Sequence, residues 1–324
     1  MQKILIIQTA FIGDVILATP LIGNLKTQFP DAKIDFLVKN GNQSLLRNDP
    51  NLNEILVFDK KKKVASLLEL LKKIRANKYD LVINLHRFAS SGILTFLSGA
   101  KQKLGFKKNP FSFAYTQSFP HEIGNGKHEV DRNLELIKHL TSSLNRQPKL
   151  YPSKEDFEAI KTYHTENYYC LAPASVWFTK QAPKEIWLKL IAKLSAENST
   201  IYLLGGPDDK ELCEEIKAKT KTEKVINLAG KLSLMQSAAL IKNAKRNFVN
   251  DSGPLHLASA MNAPVTAFFC STSPKFGFGP LSDFSSIIEV ENLSCKPCGI
   301  HGYKNCPKVH FDCGNLLDLS KVKI

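Results

Sequence analysis

FVNDSGPLH, residues 248–256, is an apolar strand that ends in a polar, glycine-containing turn and becomes a helix. Asp251 or Ser252 can cap the helix, and Pro254 suits its first turn because the N–H group that proline lacks would have no partner there. The turn leaves backbone N–H groups at the end of a strand, where the helix dipole adds partial positive charge that attracts a phosphate. The alternative is a well-capped strand-to-helix connection that binds no ligand.

Strand and helix patterns alternate along both halves of the chain. The first half has strand patterns at Lys3–Gln8, Lys33–Val38, Ile55–Phe58 and Tyr79–Leu85 and helix patterns at Gly13–Phe29, Ser66–Asn77, Ser90–Ser98 and Asp131–Leu140. The second half has strand patterns at Tyr168–Leu171, Thr200–Leu204, Val225–Asn227, Asn247–Asn250 and Val265–Phe269 and helix patterns at Trp187–Ala196, Leu212–Ala218, Leu234–Asn243 and Pro254–Met261. This alternation predicts an α/β fold with doubly wound sheets. Pro20 predicts a kink or a break in the first helix.

The length of the chain predicts two domains, because single hydrophobic cores stop growing at about 250 to 300 residues and this chain has 324. The polar segment Thr141–Pro152 is the best linker candidate, which gives domains at residues 1–150 and 151–324. Ligands bind beyond the carboxyl ends of the strands in open parallel sheets, so we expect an active site in a cleft between the domains. The loop-rich region Gly105–Lys127 contains aromatic residues that either line this cleft or form a surface flap.

Composition and charge are typical of a soluble protein with anionic partners. Apolar residues make up 43% and charged residues 23% of the chain. The apolar run Ile4–Ile7 is too short for a secretory signal, and no segment approaches the roughly 20 apolar residues of a membrane-spanning helix, which predicts a cytoplasmic protein. The net charge of +14 favours nucleic acid, an acidic membrane surface or a phosphorylated substrate. No known nucleic-acid-binding module is present, so we expect no nucleic-acid partner.

The motif Asn250–Ala260, followed by Ala263-Pro264-Val265 and Ser271-Thr272-Ser273-Pro274, resembles the donor-binding motif of glycosyltransferase family 9. These enzymes are the ADP-heptose:lipopolysaccharide heptosyltransferases, and Gly13-Asp14 after the first strand is similar to the same family. The resemblance covers nearly the whole chain. It implies the GT-B architecture, in which two Rossmann-like domains face one another across a cleft. The amino-terminal domain would bind the acceptor, and the carboxyl-terminal domain would bind the nucleotide sugar.

The resemblance implies an inverting transfer of heptose from ADP-heptose, or a related nucleotide sugar, to the inner core of lipopolysaccharide or another anionic glycan. No cofactor or metal would be required for this reaction. The basic surface would help the enzyme meet an anionic, lipid-linked acceptor at the inner face of the membrane, as a peripheral protein. A nucleotide-sugar epimerase on the same scaffold is one alternative. A basic nucleic-acid-binding or scaffold protein with a cysteine metal module is the other.

Two residues would carry the chemistry if the resemblance holds. Asp14 matches the aspartate that acts as general base, whereas on its own it would only favour the start of a helix. Lys180 precedes Pro183 by three residues, as in the family loop whose lysine contacts the donor phosphates, and a lysine can neutralise charge on a departing diphosphate. Ala174 and Ala182 replace a glycine and a tryptophan that are common in the family. The complete set of predicted donor-binding residues is Gly13, Thr179, Lys180, Leu232, Asp251, Ser252, Gly253 and His256.

Two basic clusters are candidates for binding an anionic acceptor. His86 and Arg87 end a strand pattern, and Lys127, His128 and Arg132 open a helix pattern. Arginine matches the geometry of carboxylate and phosphate groups. The alternative for the second cluster is a surface ion pair with Glu129.

The tail at residues 295–313 contains four of the seven cysteines, Cys295, Cys298, Cys306 and Cys313, with His301 and His310 among them. A structural zinc site is the leading hypothesis, because cytosolic proteins rarely contain disulfides. Reduced thiols and an occasional disulfide are the alternatives.

Overall fold

A computed structural model describes residues 1–220 and 222–324 of the chain. The chain forms two compact units, Met1–Tyr151 (unit 1) and Pro152–Ile324 (unit 2). Each unit contains one parallel six-stranded sheet flanked by helices. The prediction of two Rossmann-like, doubly wound α/β units is confirmed.

The sheet of unit 1 has the order β3-β2-β1-β4-β5-β6. Its strands are β1 (Lys3–Ile7), β2 (Lys33–Lys39), β3 (Glu54–Phe58), β4 (Leu81–Asn84), β5 (Gln102–Phe106) and β6 (Gln117–Phe119). Its helices are α1 (Ile12–Gln28), α2 (Lys63–Asn77), α3 (Ala89–Phe96) and α4 (Glu129–Glu135). The apolar strand β1 lies between β2 and β4 and is buried on both faces, as its unbroken run of isoleucine and leucine predicts.

Helix α1 is not broken at Pro20, although proline interrupts the backbone hydrogen bonding of a helix. The missing N–H of Pro20 would leave the carbonyl of Ile16 without its helical donor. The hydroxyl of Thr19 donates to that carbonyl at 2.8 Å. The amide of Asn24 donates to the carbonyl of Pro20 at 2.7 Å and also to that of Asn145 at 2.8 Å. The hydroxyl of Thr19 therefore replaces the donor that Pro20 lacks, and of the predicted kink or break, a break does not occur.

The sheet of unit 2 has the order β12-β11-β10-β7-β8-β9. Its strands are β7 (Tyr168–Ala172), β8 (Thr200–Leu203), β9 (Val225–Asn227), β10 (Arg246–Asn250), β11 (Val265–Phe269) and β12 (Ser285–Glu289). Its helices are α5 (Lys154–Ala159), α6 (Lys184–Ser195), α7 (Lys210–Ala218), α8 (Leu234–Asn243), α9 (Gly253–Ala260) and α10 (Asp312–Asn315). Strand β10, which carries the central motif, lies between β7 and β11.

In each sheet the order of strands reverses between the first and the fourth strand of the unit, and ligands of such sheets bind beyond the carboxyl ends of these strands. In unit 1 these strands are β1 and β4, and in unit 2 they are β7 and β10. Asp14 follows β1, His86 follows β4, Lys180 follows β7 and Asp251 follows β10. Four of the predicted site residues thus follow the strands at the two reversal points. Among the described residues, none of the helices is both long and apolar enough to cross a membrane.

Candidate functional site

In unit 2, three loops meet at the side chain of Asp251. Lys180, from the loop after β7, places its Nζ 2.8 Å from Oδ2 of Asp251. Thr272, from the loop after β11, donates its hydroxyl to the same oxygen at 2.7 Å. The side chains of Lys180 and Asp251 are only 15% and 8% exposed, so their charges are held together with little water around them. Asp251 therefore fixes the position of the lysine that the sequence predicts to bind phosphate.

Asn250 builds the loop that carries this lysine. Its side-chain oxygen accepts the N–H of Ala182 at 3.0 Å, and its amide donates to the carbonyl of Pro173 at 2.7 Å. Asn250 is fully buried, so these bonds satisfy groups that water cannot reach. Asn250 and Thr272 belong to the motif segments of the sequence but were not among the predicted site residues. Their positions could have indicated a role in the site. Asn250 ends β10, which pairs with β7, and Thr272 follows β11, which pairs with β10.

The amino end of α9 has no side-chain cap. Ser252 occupies the N-cap position in an extended conformation (φ −156°), and its hydroxyl turns back to the carbonyl of Asn250 at 3.4 Å instead of capping the helix. The first N–H groups of a helix have no acceptor within it, so those around Gly253 can bind an anion. His256 lies in the first turn of α9 and is 6% exposed.

Thr179 holds the carboxyl-terminal tail against the lysine loop. Its hydroxyl accepts the N–H of Tyr303 at 2.8 Å, and its carbonyl accepts the N–H of Ser271 at 3.1 Å. Gly302 has a positive φ of 78°, and a Cβ there would lie 2.9 Å from Cγ of Lys180. The tail thus packs directly on the side chain of Lys180. Thr179 is 1% exposed, and its hydrogen bonds are structural. The sequence did not predict this structural role.

Leu232 lies at the same edge of the unit 2 sheet, between β9 and α8. The adjacent residue Ser233 caps α8 by accepting the N–H of Gln236 at 3.1 Å, so Leu232 is held at the start of that helix. The preceding loop is tied to the loop after β8, because the N–H of Gly230 donates to the carbonyl of Gly205 at 3.0 Å. Gly230 has a positive φ of 73° and contacts Pro207, which explains the glycine at that position.

In unit 1, Asp14 lies in the first turn of α1, next to Gly13. Its Oδ2 accepts the N–H of Phe11 at 3.0 Å, which caps the helix. Burial, with a smaller contribution from the charge of Glu129, raises the pKa of Asp14 to about 6. Two backbone hydrogen bonds and Lys39 oppose this shift. Asp14 therefore makes the capping contact, and its raised pKa suits a carboxylate that accepts a proton. Its role as general base stays a prediction.

Glu129 belongs to a buried ion network at the start of α4. Its two carboxylate oxygens lie 3.0 Å from Nε2 of His121 and 2.7 Å from Nε of Arg132. Although burial opposes ionisation, the hydrogen bond from His121 and the charges of His121 and Arg132 keep the pKa of Glu129 below its ordinary value. Glu129 is therefore ionised when Asp14 titrates, and its negative charge disfavours the charged form of Asp14.

We expect Glu129→Gln to move the acid limb of the profile of kcat/KM against pH to lower pH, by about half a unit or more. Removal of the negative charge lowers the pKa of Asp14, and an ionised Asp14 is the form that would act as a base. Glu135→Gln is the matched control, because Glu135 lies on the same helix but forms an exposed ion pair with Lys127. If the acid limb lay at the same pH in both variants and both proteins were folded, Glu129 would have no influence on the pKa of Asp14.

The first predicted acceptor cluster contains one buried and one exposed residue. His86 is 6% exposed, and its Nδ1 lies 2.8 Å from the hydroxyl of Thr9. Burial, Lys60 and Arg87 lower the pKa of His86 to about 4, so the ring is neutral at neutral pH. Arg87 is exposed and stacks on Phe88, with 5.5 Å from its guanidinium carbon to the ring centre. Arg87 is therefore the charged member of this cluster that can reach a ligand.

The second predicted acceptor cluster is largely engaged within unit 1. Arg132 is 2% exposed and binds Glu129 and the backbone carbonyls of Glu122 and Lys127. Lys127 forms an ion pair with Glu135. His128 caps α4, with its Nδ1 accepting the N–H of Val130 at 3.2 Å. The ion pair with Glu129 that was the alternative does form, but with Arg132 and in a buried position.

A zinc site in the cysteine tail is not shown by the structure. Within residues 1–220 and 222–324, no group of three or more histidine, cysteine or acidic side chains could hold a metal ion. The thiol of Cys298 turns to the carbonyl of Cys295 at 3.3 Å, and Cys313 packs into the apolar core of unit 2. Cys295 lies 3.9 Å from Nε2 of His310. All four cysteines are free thiols.

The sequence profile of glycosyltransferase family 9 (heptosyltransferase) matches residues 67–306. The chain belongs to this family. Family 9 membership makes the chain a glycosyltransferase, so the non-enzymatic scaffold is excluded. Lipopolysaccharide heptosyltransferase 3 of Escherichia coli is 31% identical over 281 residues, which cover 82% of this chain and 83% of that protein.

Solved structures share the fold of this family 9 chain. The structure of E. coli ADP-heptose LPS heptosyltransferase II has a TM-score of 0.79 at 23% identity and covers 97% of this chain and 98% of that one. The UDP-GlcNAc 2-epimerase of Methanocaldococcus jannaschii is more distant, with a TM-score of 0.52 at 14% identity and 85% coverage of both chains. The epimerase therefore shares the architecture alone, and the family match favours transfer over epimerisation.

Proposed function

We propose that this family 9 protein is an inverting, metal-independent heptosyltransferase. It would transfer heptose from ADP-heptose, or a related nucleotide sugar, to the inner core of lipopolysaccharide or another anionic glycan. The names of the relatives support this donor and acceptor class. The observation that carries the proposal is the position of Lys180, held 2.8 Å from Asp251 beside the amino end of α9.

Unit 2 would bind the nucleotide sugar. The N–H groups around Ser252 and Gly253 and the ammonium group of Lys180 provide positive charge for a diphosphate. Leu232 and the glycine loops beyond β8 and β9 would lie along the nucleotide, and His256 would lie below the phosphates. As the bond between the anomeric carbon and the phosphate oxygen breaks, charge grows on the departing ADP. Lys180 would stabilise that charge most strongly in the transition state, which raises the rate.

Unit 1 would activate the acceptor. Asp14 would take the proton of the attacking hydroxyl while the oxygen of that hydroxyl forms a bond to the anomeric carbon. Attack on the side opposite to the departing diphosphate inverts the configuration of the sugar. The raised pKa of Asp14, about 6, keeps most of the carboxylate ionised at neutral pH while making it a stronger base than an ordinary aspartate. Arg87 would contact an anionic group of the acceptor.

We infer that the enzyme works as a peripheral protein at the inner face of the membrane, where a lipid-linked acceptor would be found. The net charge of +14 supports contact with an anionic surface.

Calorimetric titration with ADP-heptose, ADP-glucose and UDP-N-acetylglucosamine tests the donor assignment, and we expect the tightest binding for ADP-heptose. Incubation of the protein with the preferred donor and a lipopolysaccharide acceptor that lacks heptose should give a product with inverted anomeric configuration by NMR. Addition of a chelator should leave the rate unchanged. An altered sugar nucleotide formed from donor alone would instead support the epimerase.

A further inference from the structure

Unit 1 carries three phenylalanines whose rings lie next to one another outside its core. Phe96 ends α3, and Phe111 and Phe113 belong to the loop between β5 and β6. Their ring centres lie 6.0 to 6.1 Å apart in all three pairs. Phe113 is 76% exposed and Phe96 is 40% exposed. We refer to these three residues as the aromatic face. A cluster of exposed rings on a folded protein marks a site of interaction.

The loop that presents the aromatic face is hydrogen-bonded to the segment that leads into α3. Asn109 is 2% exposed, and its amide donates to the carbonyls of His86 at 2.8 Å and Phe88 at 3.1 Å. Its side-chain oxygen accepts the N–H of Phe111 at 2.9 Å. A Cβ on Gly92 would lie 2.2 Å from that oxygen, so the glycine allows the loop to approach the helix. The rings are therefore held in place before any partner arrives.

The chain around the aromatic face carries positive charge only. Residues 81–121 include no aspartate or glutamate, and their charged residues are Arg87, Lys101, Lys103, Lys107 and Lys108. Lys107 and Lys108 are exposed and belong to the same loop as Phe111 and Phe113. Arg75, also exposed, donates to the carbonyl of Leu97 at 3.2 Å and adds a charge next to Phe96.

We propose that the aromatic face, together with Lys107 and Lys108, docks this protein on the surface of a bilayer rich in anionic phospholipid. Aromatic rings are favoured at the boundary between headgroups and acyl chains, and lysines beside them attract anionic headgroups. Exposed rings flanked by positive charge, with no acidic residue among them, match both properties of such a surface. Binding to an acidic protein partner would not require the exposed rings, because no ring would be inserted into an apolar layer.

The aromatic face is continuous with the candidate acceptor residues of unit 1. The ring of His86 meets that of Phe88 edge-on at 4.8 Å, and Asn109 binds the carbonyl of His86 as well as the loop of the aromatic face. Docking by this face would therefore bring the loop after β4 near the bilayer, where a lipid-linked acceptor is anchored. This consequence rests on the proposed function, whereas docking itself can be measured without it.

Sedimentation of the full-length protein with vesicles tests the proposal. We expect binding to vesicles rich in phosphatidylglycerol and little binding to phosphatidylcholine vesicles, with loss of binding at high salt. Phe113→Ser should lower the partition constant about fivefold, and Lys107→Glu with Lys108→Glu should lower it more than about tenfold, because each basic residue near an anionic surface contributes about fivefold. Phe113 and both lysines are exposed, so these variants should remain folded.

Unit 2 offers matched controls. Phe284 is 72% exposed but follows Asp283, so Phe284→Ser should bind vesicles like the wild type. Lys189→Glu with Lys219→Glu makes the same change in net charge at two other exposed lysines and should have a smaller effect. Equal loss in the control and test variants would mean that only the net charge matters, which would overturn the proposal.

Three other results would overturn it: no binding of the wild type to anionic vesicles, unchanged binding of both test variants, or a dimer in solution that Phe113→Ser dissociates.

Measurements of turnover separate this proposal from the proposed function. The test variants should act normally on a deacylated, water-soluble acceptor and slowly on an acceptor embedded in vesicles. If the wild type bound vesicles through this face but transferred no heptose, docking would stand and the proposed function would fail.

Discussion

Asp14→Asn is expected to lower kcat by about 10³-fold while leaving the affinity for the donor nearly unchanged. Asparagine has almost the same shape as aspartate and can still accept the N–H of Phe11, so the first turn of α1 should persist. It cannot accept the proton of the acceptor hydroxyl. Steady-state kinetics with donor and acceptor varied separately, together with the dissociation constant for ADP, would measure both effects.

The same substitution should stabilise the protein at neutral pH. The pKa of Asp14 is raised in the folded chain to about 6, from an ordinary value of 3.8. Because folding raises the pKa of the Asp14 carboxyl, the contribution of this group to stability is fully present below about pH 4. That contribution is lost as the pH rises through about 6. At pH 7 the ionised, partly buried carboxylate therefore destabilises the fold. Removal of this charge should increase the free energy of unfolding by about 1 to 2 kcal/mol.

Asp156→Asn is the matched control for both measurements. Asp156 occupies the same helix position in α5 as Asp14 does in α1, and its Oδ2 accepts the N–H of Ser153 at 2.9 Å. This variant should retain activity and gain no stability at pH 7. An Asp14→Asn enzyme with normal kcat in a folded protein would remove Asp14 from the mechanism. A large loss of stability would show instead that its charge supports the fold.

The sequence predicted most strands of both sheets, including the edge strands β3 and β9. Strands β9 and β11 and helix α8 occur at the predicted residues, where apolar side chains such as Val225, Phe268 and Leu240 are buried in unit 2. Strands β5, β6 and β12 were missed. Strand β6 and strand β12 each pair with one neighbour only and keep exposed or half-buried positions, so little of the strand pattern remains in their residues.

The positions of the site residues could be predicted, but their environments could not. Asp14, Lys180 and Asp251 all follow predicted strands, so a motif and a strand pattern were sufficient to place them. The raised pKa of Asp14 depends on burial and, less strongly, on Glu129, which lies on another helix, and Gly302 in the tail approaches the side chain of Lys180 closely. Contacts between residues so far apart in the chain leave no local pattern. The four cysteines show the opposite case, since they lie close together in the sequence but form no group that could hold a metal ion among the described residues.

Lys180→Met is expected to weaken binding of ADP and to lower kcat by about 10²-fold. Methionine keeps much of the length and apolar stem of lysine but removes the charge that would face the departing diphosphate. Because the stabilised charge is greater in the transition state than in the ground state, kcat should fall more than the affinity for the intact donor. Lys184→Met is the control, since Lys184 pairs with Glu215 at a more exposed position.

The ion pair between Lys180 and Asp251 allows the effect of the substitution on catalysis to be measured separately from its effect on stability. Lys180→Met leaves Asp251 as an uncompensated, nearly buried charge, which commonly destabilises a protein by about 3 to 5 kcal/mol. The double variant with Asp251→Asn removes that charge, and its amide can still bind the hydroxyl of Thr272. We therefore expect the double variant to regain stability, measured by thermal unfolding, without regaining kcat. If stability and kcat returned together, the role of Lys180 would be to hold the three loops of unit 2 in place, and the charge on the diphosphate would have to be met by the amino end of α9 alone.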